Sequence, residues 1–592
     1  MWISQNRSER RLRLPRGSRS LAHQRHRFRP RLEGLEERTV LSTLTVLNTL
    51  DKGAGSLRDT ITGAQSGDTI VFAPTLDGQT ITLTSDQLTI NKSLDIEGPG
   101  PSLLAISGND TNRVFDVSKG LAVTIAGLTI THGRAKSAGG NGTSGAPGGG
   151  ILNAGSTLTI ANDILSYNEA VNSDFADGGG AIGNRNGATL IVTGSTFIGN
   201  QTIGRDGGVA AGGAISNDGA TATVTGSTFA GNRAVGGNGG VATTGQIDVG
   251  LGGGGGIENF AGTMTVTNST FTGNQAIGGN GGTGGTGVRA YKVDNGHGGG
   301  IDDHGTLVVS RCTFAGNQAV GGSNASGPSS DNSKIGTGFG GALSHTSGVA
   351  TITNSTFDHN EALGGSGNTG GSGVLQIGVG LGGGICNVAF LGASTLTASN
   401  LTFTNNQAVG GAGNTGGVQA GEGIAGGFAN EQGAAATLSN STFAGNQAIG
   451  GQGNTGGNGA DGLGGGLANL FGSTLTVSNC TLTGNQAVGG AGGVAGNGGN
   501  GFGGGLFNDG LSSAPANAGT PASLTITGST ISGNQADGGA AGLGGDAGLG
   551  EGGGLSLADG GVACLDTFTQ AHTTNNHATT DHDDIFGSFT TC

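Results

Sequence analysis

The chain has 592 residues, of which 133 are Gly and only 11% are charged, and its formal net charge is −14. Charge is unevenly placed: residues 1–40 hold eleven Arg and four Glu, a net of +7, which leaves −21 on the rest. An acidic body excludes a nucleic-acid surface, whose phosphates need Lys and Arg, and no run approaches the ~18 apolar residues of a membrane-spanning helix.

Residues 1–42 form a basic arm without the apolar core of roughly 7–15 residues that a secretory signal carries. Within it, RPRLEGLEERTVLS at Arg29–Ser42 resembles the short L-E-x-L-E-x-R-x-L-L-S element that opens many large secreted or surface proteins of planctomycete type, with Val40 in place of the first Leu of the pair. The resemblance implies export, with the arm acting as a sorting element.

Residues 43–135 are a different section. Thr43–Leu50 is strand-like, and Leu57, Ile61 and Ala64 fall at helical spacing before a Gly-Asp turn. One short helix before a run of strands suits a cap, because the first coil of a solenoid otherwise exposes its core and its strand edge. The stretch with GSLRDTI and GQTITLTSDQLTINKSLDIEGPG resembles the amino-terminal part of bacterial β-helix proteins with a C-S-L-R-E-A-I element. Gly55 stands where that element has Cys, so no cysteine-dependent role is implied.

Residues 136–560 are dominated by a unit that recurs eleven times between Gly148 and Asn576: a glycine pair running into an aliphatic residue, a β-type run ending in an aromatic, and Asn three residues later. Periods of this size mark a solenoid whose units bury their apolar faces only by stacking. The expected fold is all-β, a single right-handed parallel β-helix of ~14 coils with an N-terminal cap and glycine-rich loops, the inserts after each Asn looping outward. Phe197, Phe229, Phe271, Phe314, Phe357, Phe403 and Phe443 occupy one slot per coil and are expected to form an inward file. Asn153, Asn184, Asn217, Asn259, Asn387, Asn430, Asn469 and Asn508 follow the glycine pairs at a fixed offset and are expected to hydrogen-bond as a ladder. The G-G-[AG]-[IL] and F-x-x-N elements resemble the repeat of chlamydial polymorphic outer-membrane proteins, read as pectin-lyase-like β-helices. Such proteins end in a translocator β-barrel; this sequence closes at Cys592 after its last coil, so the resemblance implies a passenger-like surface or secreted body.

Chemistry is sought where the ladder breaks. Asp303 and His345 replace Asn on neighbouring rungs, Glu258 and Asp302 fall one slot earlier on neighbouring coils, and His304 is adjacent. This patch has carboxylates at spacings suited to Ca²⁺ or to acid/base work, with Arg289, Lys292 and Arg311 as nearby basic residues. Ordinary turn residues satisfy the same pattern. GGNGADGLG at Gly456–Gly464 fits one calcium β-roll nonapeptide and makes Asp461 a weak metal candidate. In residues 561–592, read as a C-terminal coil, His572, His577, Asp581, His582, Asp583 and Asp584 gather, a metal-ligand composition that a polar terminal coil explains equally. Of five cysteines only Cys564 and Cys592 are placed to pair.

These features give an extracellular or cell-surface protein of structural or adhesion type with no evident catalysis. The alternative is a carbohydrate-active β-helix enzyme, a polysaccharide lyase or glycoside hydrolase. Expected partners are a cell-envelope component, a polysaccharide or another surface protein; no nucleic acid and no transmembrane helix are expected, and no cofactor other than Ca²⁺ is suggested.

Overall fold

The computed structural model describes residues 41–136, 147–172, 178–242, 248–284, 292–327, 333–371, 373–390, 392–510, 520–558 and 560–592. Short parallel strands stack coil upon coil into three walls, which among the described residues hold 28, 14 and 12 strands. One coil shows the construction. Ile215–Asp218 and Thr221–Thr225 lie on the first wall, Thr228–Ala230 on the second and Arg233–Val235 on the third. Gly226 and Gly231 turn the two corners with φ of 59° and 61°. Each strand pairs in register with its equivalent one coil on, as in Phe229↔Phe271 and Ala234↔Ala276. The fourteen strands of the second wall span about 60 Å at ~4.8 Å per coil.

Strand alternation sends one set of side chains inward from each wall. The seven phenylalanines are fully buried, and their rings stack with centroids 4.5–4.9 Å apart and planes within 11°. Each buried ring contributes about 1.5–3 kcal/mol, so this file is a main source of stability in a chain with little charge. The glycine motif follows from the packing opposite. At Gly254 φ is +62°, a Cβ on Gly255 would sit 2.5 Å from the Gln275 backbone, and one on Gly256 would sit 3.2 Å from the Phe271 ring.

Two amide rows run along the coils. The anticipated one links Asn153, Asn184, Asn217 and Asn259, and again Asn387, Asn430, Asn469 and Asn508, through Nδ2–Oδ1 bonds of 2.7–2.9 Å. The second, longer row uses the closing asparagines. Asn200 donates both its backbone N–H and its Nδ2 to Asn232 Oδ1, and its Nδ2 also reaches Leu165 O. The pattern runs from Asn168 to Asn534, and the Asn576 donors then meet Asp584 Oδ1.

Where they are described, the glycine-rich inserts do not loop outward. Their described residues stack as two further parallel sheets of nine and five strands, including Gly252–Gly253, Gly296–His297 and Gly338–Phe339 in one, and Lys292–Val293 and Ser333–Ile335 in the other. Coil-to-coil pairing meets their backbone groups, which loose loops leave to solvent. At the amino end, helix Leu57–Gly63 is N-capped by Ser56 and buries Leu57 and Ile61. Cys564 and Cys592 form a disulfide, while Cys312, Cys386 and Cys480 are free and buried. No described helix is long and apolar enough to cross a membrane.

Candidate functional site

The patch expected around the ladder breaks divides in two, because alternate residues of a strand face opposite sides. Asp303 and His345 point into the coil and belong to the amide row. Asn259 Nδ2 donates to Asp303 Oδ1 at 2.6 Å, and His345 Nδ1 lies 2.7 Å from Asp303 Oδ2. Both residues are fully buried; Asp303 is bonded on both sides as a rung is, whereas His345 Nε2 has no partner among the described residues and the row resumes at Asn387.

Glu258, Asp302 and His304 point the other way, out of strands Ile257–Thr267 and Ile301–Ser310. The insert sheets roof them. A polar file in register across the roof, Asp248, Lys292, Lys334, Gln376 and Gln419, stands opposite this wall. Lys334 Nζ pairs with Glu431 Oε2 at 2.9 Å, and Gln376 Nε2 donates to Glu431 Oε1 at 2.5 Å. His304 Nε2 lies 3.1 Å from Asp302 Oδ2, and the His297 ring packs on Phe339 with centroids 4.4 Å apart. Further along, Phe339, Leu381, Ile424 and Cys386 turn the interlayer space apolar.

Electrostatics in this space follow from burial. Desolvation, then the neighbouring Asp302 and Asp218, push Glu258 well above the usual carboxylate range. Burial also opposes ionisation of Asp302, but His304 in contact, then His297 and Lys292, hold it below its ordinary value. Burial and Lys292 drive His297 well down, toward the neutral imidazole. Burial thus favours the neutral form of Glu258 while His304 favours the ionised form of Asp302, a divergence expected of like charges one coil apart.

Of the basic residues placed near the patch in sequence, only Lys292 belongs to it. Arg311 sits on an exposed corner and donates to Asn268 Oδ1, and Arg289 lies outside the described residues. Sequence reasoning missed His297, Lys334 and Glu431. Lys292 and His297 are separated as Lys334 and Phe339 are, and that shared offset in consecutive inserts was the available signal.

Asp461 lies elsewhere, in a cleft of about 400 Å³ whose lining includes Glu422, Asp509, Glu551, Phe502 and Phe586. Its Oδ1 accepts the Asn500 N–H. Burial, then Asp461, Glu431 and Asp509, raise Glu422 well above its ordinary value, and burial raises Asp461, Asp509 and Glu551. His577 and His582 are surface groups beside Asp583 and Asp581. Among the described residues the metal-ligand grouping consists of Glu258, Asp302 and His304.

No protein-family model matches the chain, and no curated protein matches it. Among solved structures it is similar to a mannuronic acid specific polysaccharide family 6 lyase from human gut microbiota, at 10% identity over 88% of this chain and 87% of that one, TM-score 0.30. It is similar to PfbA, a surface adhesin of Streptococcus pneumoniae, at 9% identity over 85% and 92%, TM-score 0.32. It is also similar to the catalytic unit of a thermostable GH87 alpha-1,3-glucanase from Streptomyces thermodiastaticus, at 12% identity over 82% and 68%, TM-score 0.27.

Proposed function

We propose that the chain is an extracellular or cell-surface β-helix of adhesion type, a long scaffold that presents repeated polar files to a cell-envelope polysaccharide or another surface protein. The observation that carries this reading is the contrast between hidden charge and open repetition. Glu258, Asp302 and His304 are roofed by the inserts, whereas the second wall offers one outward threonine per coil from Thr196 to Thr530. Beside it the third wall carries a file mostly of glutamines, with Glu169, Arg233 and Glu361 in the same slot, and Gln407, Gln447 and Gln486 are hydrogen-bonded along the stack. A periodic row suits a periodic partner, since many weak contacts add through effective concentration. The Cys564–Cys592 disulfide supports an oxidising compartment. Cell fractionation and binding to isolated envelope polysaccharide test the reading. A protein confined to the cytoplasm, with no retention on envelope material, defeats it.

A second reading is supported by the acidic cleft. Carboxyls that burial shifts upward, beside half-buried phenylalanines, are what a glycosidase uses for a general acid and for sugar-face contact. Release of reducing ends from a neutral polysaccharide, abolished by Asp461→Asn, would make this cleft an active site and displace the scaffold reading.

A further inference from the structure

The wall beneath Lys292 carries a donor set for which a scaffold has no use. Glu258, Asp302 and His304 each place a ligand atom within 4.8 Å of the others. A fourth donor comes from the opposite layer, where His297 Nδ1 lies 4.0 Å from Asp302 Oδ2. Glu258, Asp302 and His297 are 4%, 0% and 2% exposed, and the His304 side chain is 6% exposed. Glu258 Oε2, Asp302 Oδ1 and both ring nitrogens of His297 nevertheless have no hydrogen-bond partner among the described residues. Buried polar atoms are almost always met by a partner, and a cation meets two carboxylates and two imidazoles at once.

We propose that Glu258, Asp302, His304 and His297 bind one first-row transition-metal dication, with zinc as the representative ion, which fastens the insert layer to the first wall. Two imidazoles argue against Ca²⁺ or Mg²⁺, which take oxygen shells, and suit zinc and its neighbours. Zinc bonds of ~2.0–2.2 Å set donors roughly 3.5 Å apart, so Glu258, Asp302 and His304 draw in by about an ångström and the His297 ring turns toward them. Thr346 Oγ1, 2.5 Å from His304 Nδ1, supplies the outer bond that orients a metal-binding imidazole. Gly253 leaves the room: a Cβ there would lie 2.9 Å from Asp302 Oδ2 and 3.7 Å from Glu258 Oε1. Lys292 is the competing positive charge, since it acts on both carboxyls.

The full chain, free of any polyhistidine tag, is unfolded in chelator, refolded with Zn²⁺ or Co²⁺, desalted and analysed for metal. About one ion per chain is expected, with the visible bands of tetrahedral Co²⁺. Asp302→Asn and His297→Gln should each lose the ion, Thr346→Val should weaken it about 10- to 100-fold, and His582→Gln should keep it. Glu258→Gln replaces Asp302→Asn if that variant fails to fold. A parent chain that refolds without metal leaves Lys292 and His304 as the counter-charges and overturns the site. An ion that survives in His297→Gln overturns the link between the layers.

Discussion

Replacing Asn317 with Ala tests whether the amide rows hold the coils together. Asn317 is fully buried. Its Oδ1 accepts the Asn274 backbone N–H at 3.0 Å and Asn274 Nδ2 at 2.9 Å. Its Nδ2 donates to Asn360 Oδ1 at 2.9 Å and to Phe271 O at 3.0 Å. Alanine keeps the backbone donor and deletes the rest. Four bonds at about 0.5–1.5 kcal/mol each give a loss of roughly 2–6 kcal/mol, with the orphaned Asn274 groups favouring the upper half. Solenoids open segment by segment, so hydrogen exchange resolved along the chain is the suitable assay, beside denaturant unfolding. The Asn274 amide should lose protection first, and opening should spread to the coils on either side. Thr313→Ala, at an outward position nearby, should stay within about 0.5 kcal/mol of the parent. If Asn317→Ala unfolds within about 1 kcal/mol of the parent and the Asn274 amide stays protected, the rows do not bind the coils.

Phe314→Ala removes a ring stacked at 4.8 and 4.9 Å on its two neighbours and should cost about 3–5 kcal/mol in denaturant unfolding. Lys334→Met strands Glu431 without its cation and should cost about 3–5 kcal/mol, while adding Glu431→Leu should recover most of the loss; a double-mutant cycle reads the difference. Asp163 is raised from 3.8 to about 7 by burial, against its bonds from the Leu128 and Ala161 amides. The folded chain therefore holds a proton that the unfolded chain releases, so this stability is present below about pH 4 and is lost as pH rises to about 7. The thermal midpoint of Asp163→Asn relative to the parent should rise from pH 5 to pH 8, and a pH-independent difference would contradict the burial effect.

Much of the fold was legible because the same residue types return to the same wall. The register that pairs Phe229 with Phe271 also pairs Glu258 with Asp302 and Asn259 with Asp303, and all three follow from counting along the repeat. The roof over Glu258 was not legible. Its strands are only a few residues long and rich in glycine, so they carry no apolar period to announce a layer. Lys334 and Glu431 meet across 97 residues of sequence, a separation that counting within one repeat does not reach. The closing asparagines were visible as a motif, but their bonding was hidden because it depends on corner geometry: Gly199 turns the corner before Asn200 with φ +59° and aims that side chain along the axis.

The closing-asparagine row has a direction. Every Nδ2 gives to the coil ahead and every Oδ1 receives from the coil behind, so the stack is chemically polar from end to end, with acceptors facing its start and donors facing its finish. The first acceptor of the row is met inside the chain, since Asn168 Oδ1 takes the Gly133 N–H at 2.8 Å, so only the finish needs a further partner. Asp584 occupies the place of the next rung, and its carboxylate takes both donors of Asn576 without an amide to hand onward. The row therefore begins on a backbone amide and closes on a carboxylate, and both of its ends are satisfied within one chain.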